Sequence, residues 1–196
     1  PLLVTFGFSI IIQNLLLATF SADTRGLATG TLGTDSLALG GDVAVGWLPL
    51  LIMTTAVALL AGLQWLFVRT GLGRAFRATA DDPTTARLMG IDNKHVYAIA
   101  MALAMAFVAV AGFFLAVRAN ISPTDGPARL IYAFEAVIIG GMGSLWGTLA
   151  GGIVLGIAQA VGLMFDPGWG ILTGHLAFLA VLVFRPNGLF PRTRIH

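Results

Sequence analysis

Cysteine is absent from this chain of 196 residues, and charged side chains make up only 10% of it. Without a thiol the chain forms neither a disulfide nor a thiolate metal site. Its net charge of +2 leaves no basic footprint for a nucleic acid. What the sequence has instead is apolar: 57% of its residues are hydrophobic, and the mean hydropathy is +0.90. Such a composition requires lipid as its surroundings.

Apolar runs divide the sequence into candidate spans, since a helix needs about 20 predominantly apolar residues to cross a bilayer. These runs are Leu2 to Phe20, Trp47 to Val68, His95 to Val117 and Trp169 to Phe184. The pattern predicts an all-α, polytopic membrane protein in which residues 1–196 form a single transmembrane domain. Because the chain begins at Pro1 inside an apolar run, we expect further membrane helices before it.

Three polar segments predict how the chain is oriented. Residues 21–46 are rich in Gly, Thr, Ser and Asp, which predicts an extracytoplasmic loop with a small hairpin. Residues 69–94 and the tail 185–196 together hold eight of the eleven Lys and Arg residues. The positive-inside rule therefore predicts that both of these segments are cytoplasmic.

A run of glycines interrupts the remaining apolar stretch, Leu130 to Phe165, at residues 140–144. The orientation of its neighbours requires this stretch to enter the membrane and return. Its first arm, Leu130 to Ile139, would rise only about 15 Å in a core of about 30 Å. We therefore expect a re-entrant half-helix, with a short full span as the alternative, followed by a helix from about Leu145 to Met164. Non-helical backbone at membrane depth is tolerated where protein or a solute cavity covers it.

A short helix is predicted within the cytoplasmic segment 69–94. Asp82 is a favourable N-cap, Pro83 suits the first helical position, and Gly90 suits the residue that ends the helix. A free helix this short is marginal in water. It therefore needs support, and the composition leaves the membrane surface and a partner protein as equal alternatives.

A few polar side chains interrupt the apolar segments. A charge at membrane depth costs about 2.5 to 3.5 kcal/mol on insertion scales, so Glu135 is a functional candidate. Either it lines a solute path, or it lies near the outer interface and reaches water or Arg129; we expect a water-accessible position near the outer mouth. Gln13 and Asn14 pose a similar choice between cavity lining and interhelical hydrogen bonds. His175 has no evident partner and is expected to be a packing residue.

Small residues recur every fourth position in the second arm, a spacing that lets helices approach closely in lipid. The helix-packing candidates are Gly147, Gly151, Gly152 and Gly156. No phosphate-binding loop, zinc motif or catalytic triad pattern stands out, so the residues predict neither a cofactor nor catalysis on a substrate.

Two blocks of sequence resemble the permease subunits of the branched-chain amino acid ABC transporter family. Gly73 to Ala78, with Asp82 and Ala86 to Ile91, is similar to the cytoplasmic loop of that family. Ala133 to Gly147, followed by Gly151, Gly152 and Gly156, is similar to its Gly-Gly-x-Gly-Ser membrane signature. Phe8-Ser9, Gln13-Asn14 and the segment Arg185 to Phe190 also fit, so the resemblance covers essentially the whole chain.

The resemblance implies a permease subunit of an ATP-driven importer in a bacterial or archaeal inner membrane. The partners it implies are ATP-binding cassette ATPase subunits, a second permease subunit of the same or another kind, an extracytoplasmic solute-binding protein and the lipid bilayer. The solute would be a branched-chain amino acid, another amino acid, urea or a short amide. A stand-alone channel or secondary transporter is the alternative.

The resemblance also favours partner docking for the cytoplasmic helix, because the corresponding loop would insert into a groove on the ATPase. The ATPase-coupling candidates are Arg74, Arg77, Ala78, Asp82, Ala86, Arg87, Leu88 and Gly90. The candidates for the translocation path are Gln13, Asn14, Glu135, Gly140, Gly141, Gly143 and Ser144.

Overall fold

The computed structural model describes residues 2–27, 36–38 and 44–190, and within them the chain is helical apart from one strand pair. The helices are α1 Leu2–Phe20, α2 Trp47–Arg69, α3 Gly71–Asp81, α4 Pro83–Leu88, α5 Asn93–Arg118, α6 Gly126–Gly140, α7 Leu145–Phe165 and α8 Trp169–Phe184. The strands are β1 Ser36–Ala38 and β2 Ala44–Gly46. This content confirms the predicted all-α class.

The four predicted apolar spans coincide with α1, α2, α5 and α8 to within two residues at each end. Three helices, α2, α5 and α7, are both long and apolar enough to cross a membrane. The apolar stretches Val4–Phe20 and Trp169–Phe184 are shorter. The chain is therefore a multi-pass membrane protein.

Pro1–Pro123 form one compact unit, which contains α1 to α5 and the strand pair. The two strands are antiparallel, with Leu37 opposite Val45, and they confirm the predicted hairpin. Arg25 and Ile121 exchange backbone hydrogen bonds of 2.9 and 2.8 Å, which join the segment after α1 to the segment after α5.

The polar segment between α2 and α5 contains two helices, whereas its sequence predicted only one. Thr70 caps the additional helix, α3, by accepting a hydrogen bond of 3.2 Å from the Gly73 amide. Phe76 of α3 packs edge-to-face on Phe67 of α2, with ring centroids 5.6 Å apart. This contact holds α3 against the end of α2.

Thr124–His196 form a second compact unit. That residues 1–196 act as a single transmembrane domain stays a prediction. Its helices α6 and α7 run antiparallel, and their backbones are in contact. At Gly151 the approach is so close that an added Cβ would collide with the Ala136 carbonyl oxygen. The helix α8 packs antiparallel on α7, where Gly174 faces the Gln159 side chain. The two backbones of each pair approach closely at glycine, as packing in lipid favours.

The first arm of the broken segment is longer than predicted. It begins at Gly126 rather than Leu130 and extends to Gly140, so its 15 residues rise about 22 Å instead of about 15 Å. The prediction missed the first turn because Gly126 and Pro127 read as loop residues, although proline is well suited to the start of a helix. The second arm, α7, ends one residue beyond the predicted Met164.

Candidate functional site

The predicted cap of α4 is present. The Asp82 Oδ1 atom accepts hydrogen bonds from the amides of Thr84 and Thr85, at 2.8 and 3.2 Å. Gly90 follows with φ +85°, a conformation that glycine adopts readily. The hydroxyl of Thr85, followed by the two amides, lowers the pKa of the Asp82 carboxyl below its ordinary value.

Buried contacts fix α4 to its neighbours. Ala86 of α4 is only 3% exposed, so its side chain is buried on the inner side of this helix. Asn93, at the start of α5, donates from its Nδ2 to the Pro83 carbonyl oxygen at 2.7 Å and accepts at its Oδ1 from the Thr79 hydroxyl at 3.4 Å. A single side chain thus links α3, α4 and α5, which gives this short helix the support it needs.

The outer surface of α4 carries apolar side chains that nothing in the described part of the chain covers. Leu88 is 83% exposed and Met89 is 78% exposed. Of the other coupling candidates, Arg74 and Arg87 are exposed. Arg77 donates from Nη1 to the Phe67 carbonyl oxygen at 2.6 Å, and the Ala78 carbonyl oxygen accepts from the Asp82 amide.

Glu135 lies inside the second unit and is only 5% exposed. Its Oε1 atom is 2.5 Å from Nδ1 of His175 on α8, and the His175 ring stacks on Tyr132 with centroids 5.7 Å apart. The prediction of a water-accessible Glu135 that reaches solvent or Arg129 is therefore wrong. His175 was expected to be a packing residue, and Glu135 is the polar partner that the sequence did not reveal.

The glycine turn between α6 and α7 is covered by the chain on one side, where Gly140, Gly141 and Ser144 are buried, while Met142 and Gly143 are exposed. Gly141 and Gly143 adopt φ of +96° and +85°, and Ser144 Oγ accepts from the Gly147 amide at 3.0 Å. The segment 185–190, which we call the strap, folds back so that the amides of Leu189 and Phe190 donate to the carbonyl oxygens of Ile139 and Gly140, at 2.8 and 3.0 Å. Each of these two carbonyl oxygens therefore already accepts one hydrogen bond from the strap.

The strap fits the turn only because two glycines meet there. A Cβ on Gly188, whose φ is +79°, would collide with the Cα of Gly141. The strap belongs to the tail predicted to be cytoplasmic, but nothing in its sequence identifies the glycine turn as its target. Residues 191–196 of the predicted basic tail lie outside the described residues.

The remaining candidates have more ordinary surroundings. Asn14 donates to the Ile10 carbonyl oxygen of its own helix at 2.8 Å, and Gln13 is half-buried. Gly152 and Gly156 have nothing within 4 Å of an added Cβ and face an open groove of the second unit. Their packing role therefore stays a prediction. Within residues 2–27, 36–38 and 44–190, no group of three or more His, Asp and Glu side chains could hold a metal ion.

Comparison with known proteins identifies the family. The family described as branched-chain amino acid transport system / permease component matches residues 1–183. The high-affinity branched-chain amino acid transport system permease protein BraD of Pseudomonas aeruginosa is 31% identical, over 100% of this chain and 65% of BraD. The corresponding permease protein LivH of Escherichia coli is 30% identical, over 100% of this chain and 65% of LivH.

A further relative is named for the import of a different solute. The autoinducer 2 import system permease protein LsrC of Escherichia coli is 32% identical, over 74% of this chain and 43% of LsrC. No solved structure matches the chain. The chain spans about two thirds of BraD and LivH, 65% in each case. On the family match over residues 1–183, the chain belongs to the permease components of branched-chain amino acid transport systems.

Proposed function

We propose that this chain forms part of the membrane channel of an ATP-driven importer for a small polar solute, a branched-chain amino acid being the first candidate. The family and the names of BraD and LivH support this solute class, while the name of LsrC keeps other small polar solutes open. The sequence contains no phosphate-binding loop, so ATP would be hydrolysed on a partner chain.

The observation that carries the proposal is the exposed apolar tip of α4. Leu88 and Met89 project from a helix that is capped, internally supported and flanked by polar residues. Exposed apolar side chains on a fixed element favour docking to a partner rather than contact with water. We assign this surface to an ATPase subunit, and Arg87 and Arg74 would surround it as polar rim residues.

The other partners and the orientation complete the proposal. The basic segment 69–94 faces the cytoplasm of a bacterial or archaeal inner membrane, where the ATPase is accessible. A solute-binding protein would deliver the solute from the opposite side, and a second permease subunit would complete the path. Gln13 of the first unit and the exposed Gly143 of the second unit are each proposed as path residues, whereas Glu135, buried and paired with His175, is not proposed to line the path.

The test is co-purification of the ATPase with the permease. Replacing Leu88 and Met89 together by serine should weaken the complex at least about tenfold, because each buried apolar side chain contributes about 1.5 to 3 kcal/mol. Leu27→Ser is the matched control, since Leu27 is 52% exposed and lies in the segment after α1. It should leave the complex intact.

Two outcomes would contradict the proposal. Unchanged ATPase binding by the Leu88→Ser, Met89→Ser variant would remove α4 as the docking surface. Solute uptake into proteoliposomes that continues at the same rate without ATP would indicate a stand-alone channel or a secondary transporter instead.

A further inference from the structure

The open groove of the second unit lies where α6 begins, α7 ends and α8 begins. Its volume is about 560 Å³, within the range of roughly 300 to 1,000 Å³ that small-molecule sites occupy. Gly152 and Gly156 keep it open, since no neighbouring side chain or helix lies within 4 Å of a Cβ added to either glycine. The groove is therefore large enough for a small molecule.

Polar side chains in its wall distinguish this groove from an apolar packing seam between helices. Arg129 and Tyr132 come from α6, and Gln159 comes from α7. Among residues 2–27, 36–38 and 44–190, none of these side chains has a hydrogen-bond partner. Polar groups of this kind are satisfied by water or by a ligand.

The positive charge of Arg129 is not compensated by an ion pair in the described part of the chain. Glu135 pairs with His175, and Asp166 accepts at its Oδ1 from a backbone amide of its own turn, at 2.8 Å. Asp125 meets Arg129 through the backbone, where its carbonyl oxygen accepts from the Arg129 amide at 3.1 Å. The guanidinium group can therefore bind an anionic group that enters the groove.

Close contacts fix the other two polar side chains. The Tyr132 ring stacks on the His175 ring, with centroids 5.7 Å apart, and Glu135 holds His175 in turn. Gln159 lies over Gly174 of α8, where an added Cβ would be 3.1 Å from its Cγ and Nε2 atoms. Both polar groups are thus positioned before a ligand arrives, which lowers the entropic cost of binding.

Other parts of the wall are apolar. Leu155 of α7, which is buried, and Ile171 of α8 offer branched aliphatic surface. A carboxylate suits the guanidinium of Arg129, and an ammonium group suits the hydroxyl of Tyr132 and the amide oxygen of Gln159. An aliphatic group suits the leucine and the isoleucine. An amino acid with an aliphatic side chain carries all of these groups in one small molecule.

We propose that this groove binds the transported amino acid, with its carboxylate at Arg129 and its ammonium group at Tyr132 and Gln159. The aliphatic side chain lies against Leu155 and Ile171. The inference rests on the proposed function and adds the place in this unit where the solute binds. If the basic tail is cytoplasmic, the groove opens towards the opposite side of the membrane, because α8 separates it from the strap. The groove then receives the solute that the binding protein delivers.

Protection of an introduced cysteine tests the site in the complete transporter, with its other cysteines replaced and the binding protein omitted. Gly156→Cys places a thiol in the groove, and L-leucine should slow its modification by a soluble thiol reagent several-fold. L-Leucinamide, which lacks the carboxylate, should not slow it. Asn187→Cys in the strap, at the other end of the unit, should react equally fast with and without leucine.

Two arginine variants test the carboxylate contact. In the Gly156→Cys background, Arg129→Gln should abolish the protection by leucine. Alone, it should raise the KM of ATP-driven leucine uptake about tenfold, as expected for the loss of a hydrogen bond to a charged group. Arg118→Gln is the matched control, because Arg118 is also exposed but ends α5 in the first unit, and it should change neither quantity. Both variants should still co-purify with the ATPase.

A pair of glycine variants tests the space itself. Gly156→Leu fills the groove and should raise the KM for leucine. Gly112→Leu should not, although Gly112 is also a helical glycine with nothing within 4 Å of an added Cβ. If Gly156→Leu instead releases the second permease subunit, a protein helix fills the groove and the proposal is wrong.

The remaining outcomes separate this proposal from the proposed function. Absence of protection by leucine, equal protection by leucinamide, or a parent-like KM in Arg129→Gln would overturn the groove as the binding site. The proposed function stands in those cases as long as leucine uptake requires ATP. If the parent shows neither leucine uptake nor protection, the groove and the proposed solute are both wrong.

Discussion

Glu135 and His175 are polar side chains in an apolar unit, and each of them would be costly to bury without a partner. A charged side chain at membrane depth is costly unless it is paired, and these two are within hydrogen-bonding distance of each other. Oε2 of Glu135 is buried without a hydrogen-bond partner among the described residues, so the pair does not satisfy the carboxyl group fully. The pair therefore connects α6 to α8 at a position where the carboxyl group can still accept another donor.

A double-mutant cycle measures this connection. Glu135→Ala and His175→Ala should each destabilise the protein in denaturant titrations, and the double variant should be destabilised by less than their sum. We expect a coupling free energy of about 0.5 to 2 kcal/mol, the range for interacting pairs and for hydrogen bonds between membrane helices. Glu135→Ala combined with Thr54→Ala, in the other unit, should be additive. Additivity in the Glu135 and His175 cycle would mean that the contact contributes nothing to stability.

The pairing could be predicted only in part from the sequence. Two ionisable residues that both lie in apolar segments are expected to pair with each other, and this expectation alone would have selected His175 as the partner of Glu135. Sequence distance argued against it: 40 positions separate His175 from Glu135, whereas Arg129 is six residues away. Helical geometry decides otherwise, because residues six apart on a helix are separated by roughly 120° around its axis and about 9 Å along it.

At the scale of elements, the cap of α4 depends on a titratable side chain. The Thr85 hydroxyl and the amides of Thr84 and Thr85 hold the pKa of Asp82 below its ordinary value in the folded chain. A carboxyl group whose pKa is lowered by folding stabilises the fold above the unfolded pKa of about 3.9. That stabilisation disappears as the pH falls through the lowered, folded value. The cap of α4 should therefore weaken at acidic pH.

Hydrogen exchange at the amides of Thr84 and Thr85 measures this effect. In the parent, protection relative to intrinsic rates should be constant from pH 7 to about 5 and should fall below about pH 4. Asp82→Asn keeps an acceptor that does not titrate, so its protection should not change over this range. Asp92→Asn alters only the cap of α5 and should leave the parent profile at Thr84 intact. A pH-independent parent profile would contradict the assigned role of the carboxylate.

A helix could be predicted from the sequence where a single residue determines its boundary. It could not be predicted where contact with another element determines that boundary. Asp82, Pro83 and Gly90 define α4 by local chemistry, so its bounds follow from the sequence. The helix α3 was missed because it depends on Phe76 packing against Phe67, which lies beyond the intervening turn. The strap was missed for a similar reason: only the fold brings Gly188 next to Gly141.

At the scale of the whole molecule, the strap constrains how the second unit lies in the membrane. Glu135 is five residues before the end of α6, and its partner His175 is nine residues before the end of α8. If the two helices run side by side, α6 ends only about 6 Å short of α8. The strap then covers this difference by folding back from Arg185 to the carbonyl oxygens of Ile139 and Gly140. If α8 crosses the membrane, we therefore expect the glycine turn to lie near the membrane surface at the end of α8, and not at the middle of the bilayer.

Labelling of single introduced cysteines tests this position, and these 196 residues contribute no native cysteine to the background. Met142 is 69% exposed in the glycine turn, so Met142→Cys should react with a membrane-impermeant thiol reagent from the same side as Asn187→Cys in the strap. Asp166→Cys, in the turn between α7 and α8, should react only from the opposite side. A half-helix that stops at mid-membrane predicts a different result, because Met142→Cys would then be protected from the strap side. If Met142→Cys reacts instead from the side on which Asp166→Cys reacts, both the surface position and the mid-membrane position of the turn are contradicted. In that case α6 would not cross the membrane alongside α8.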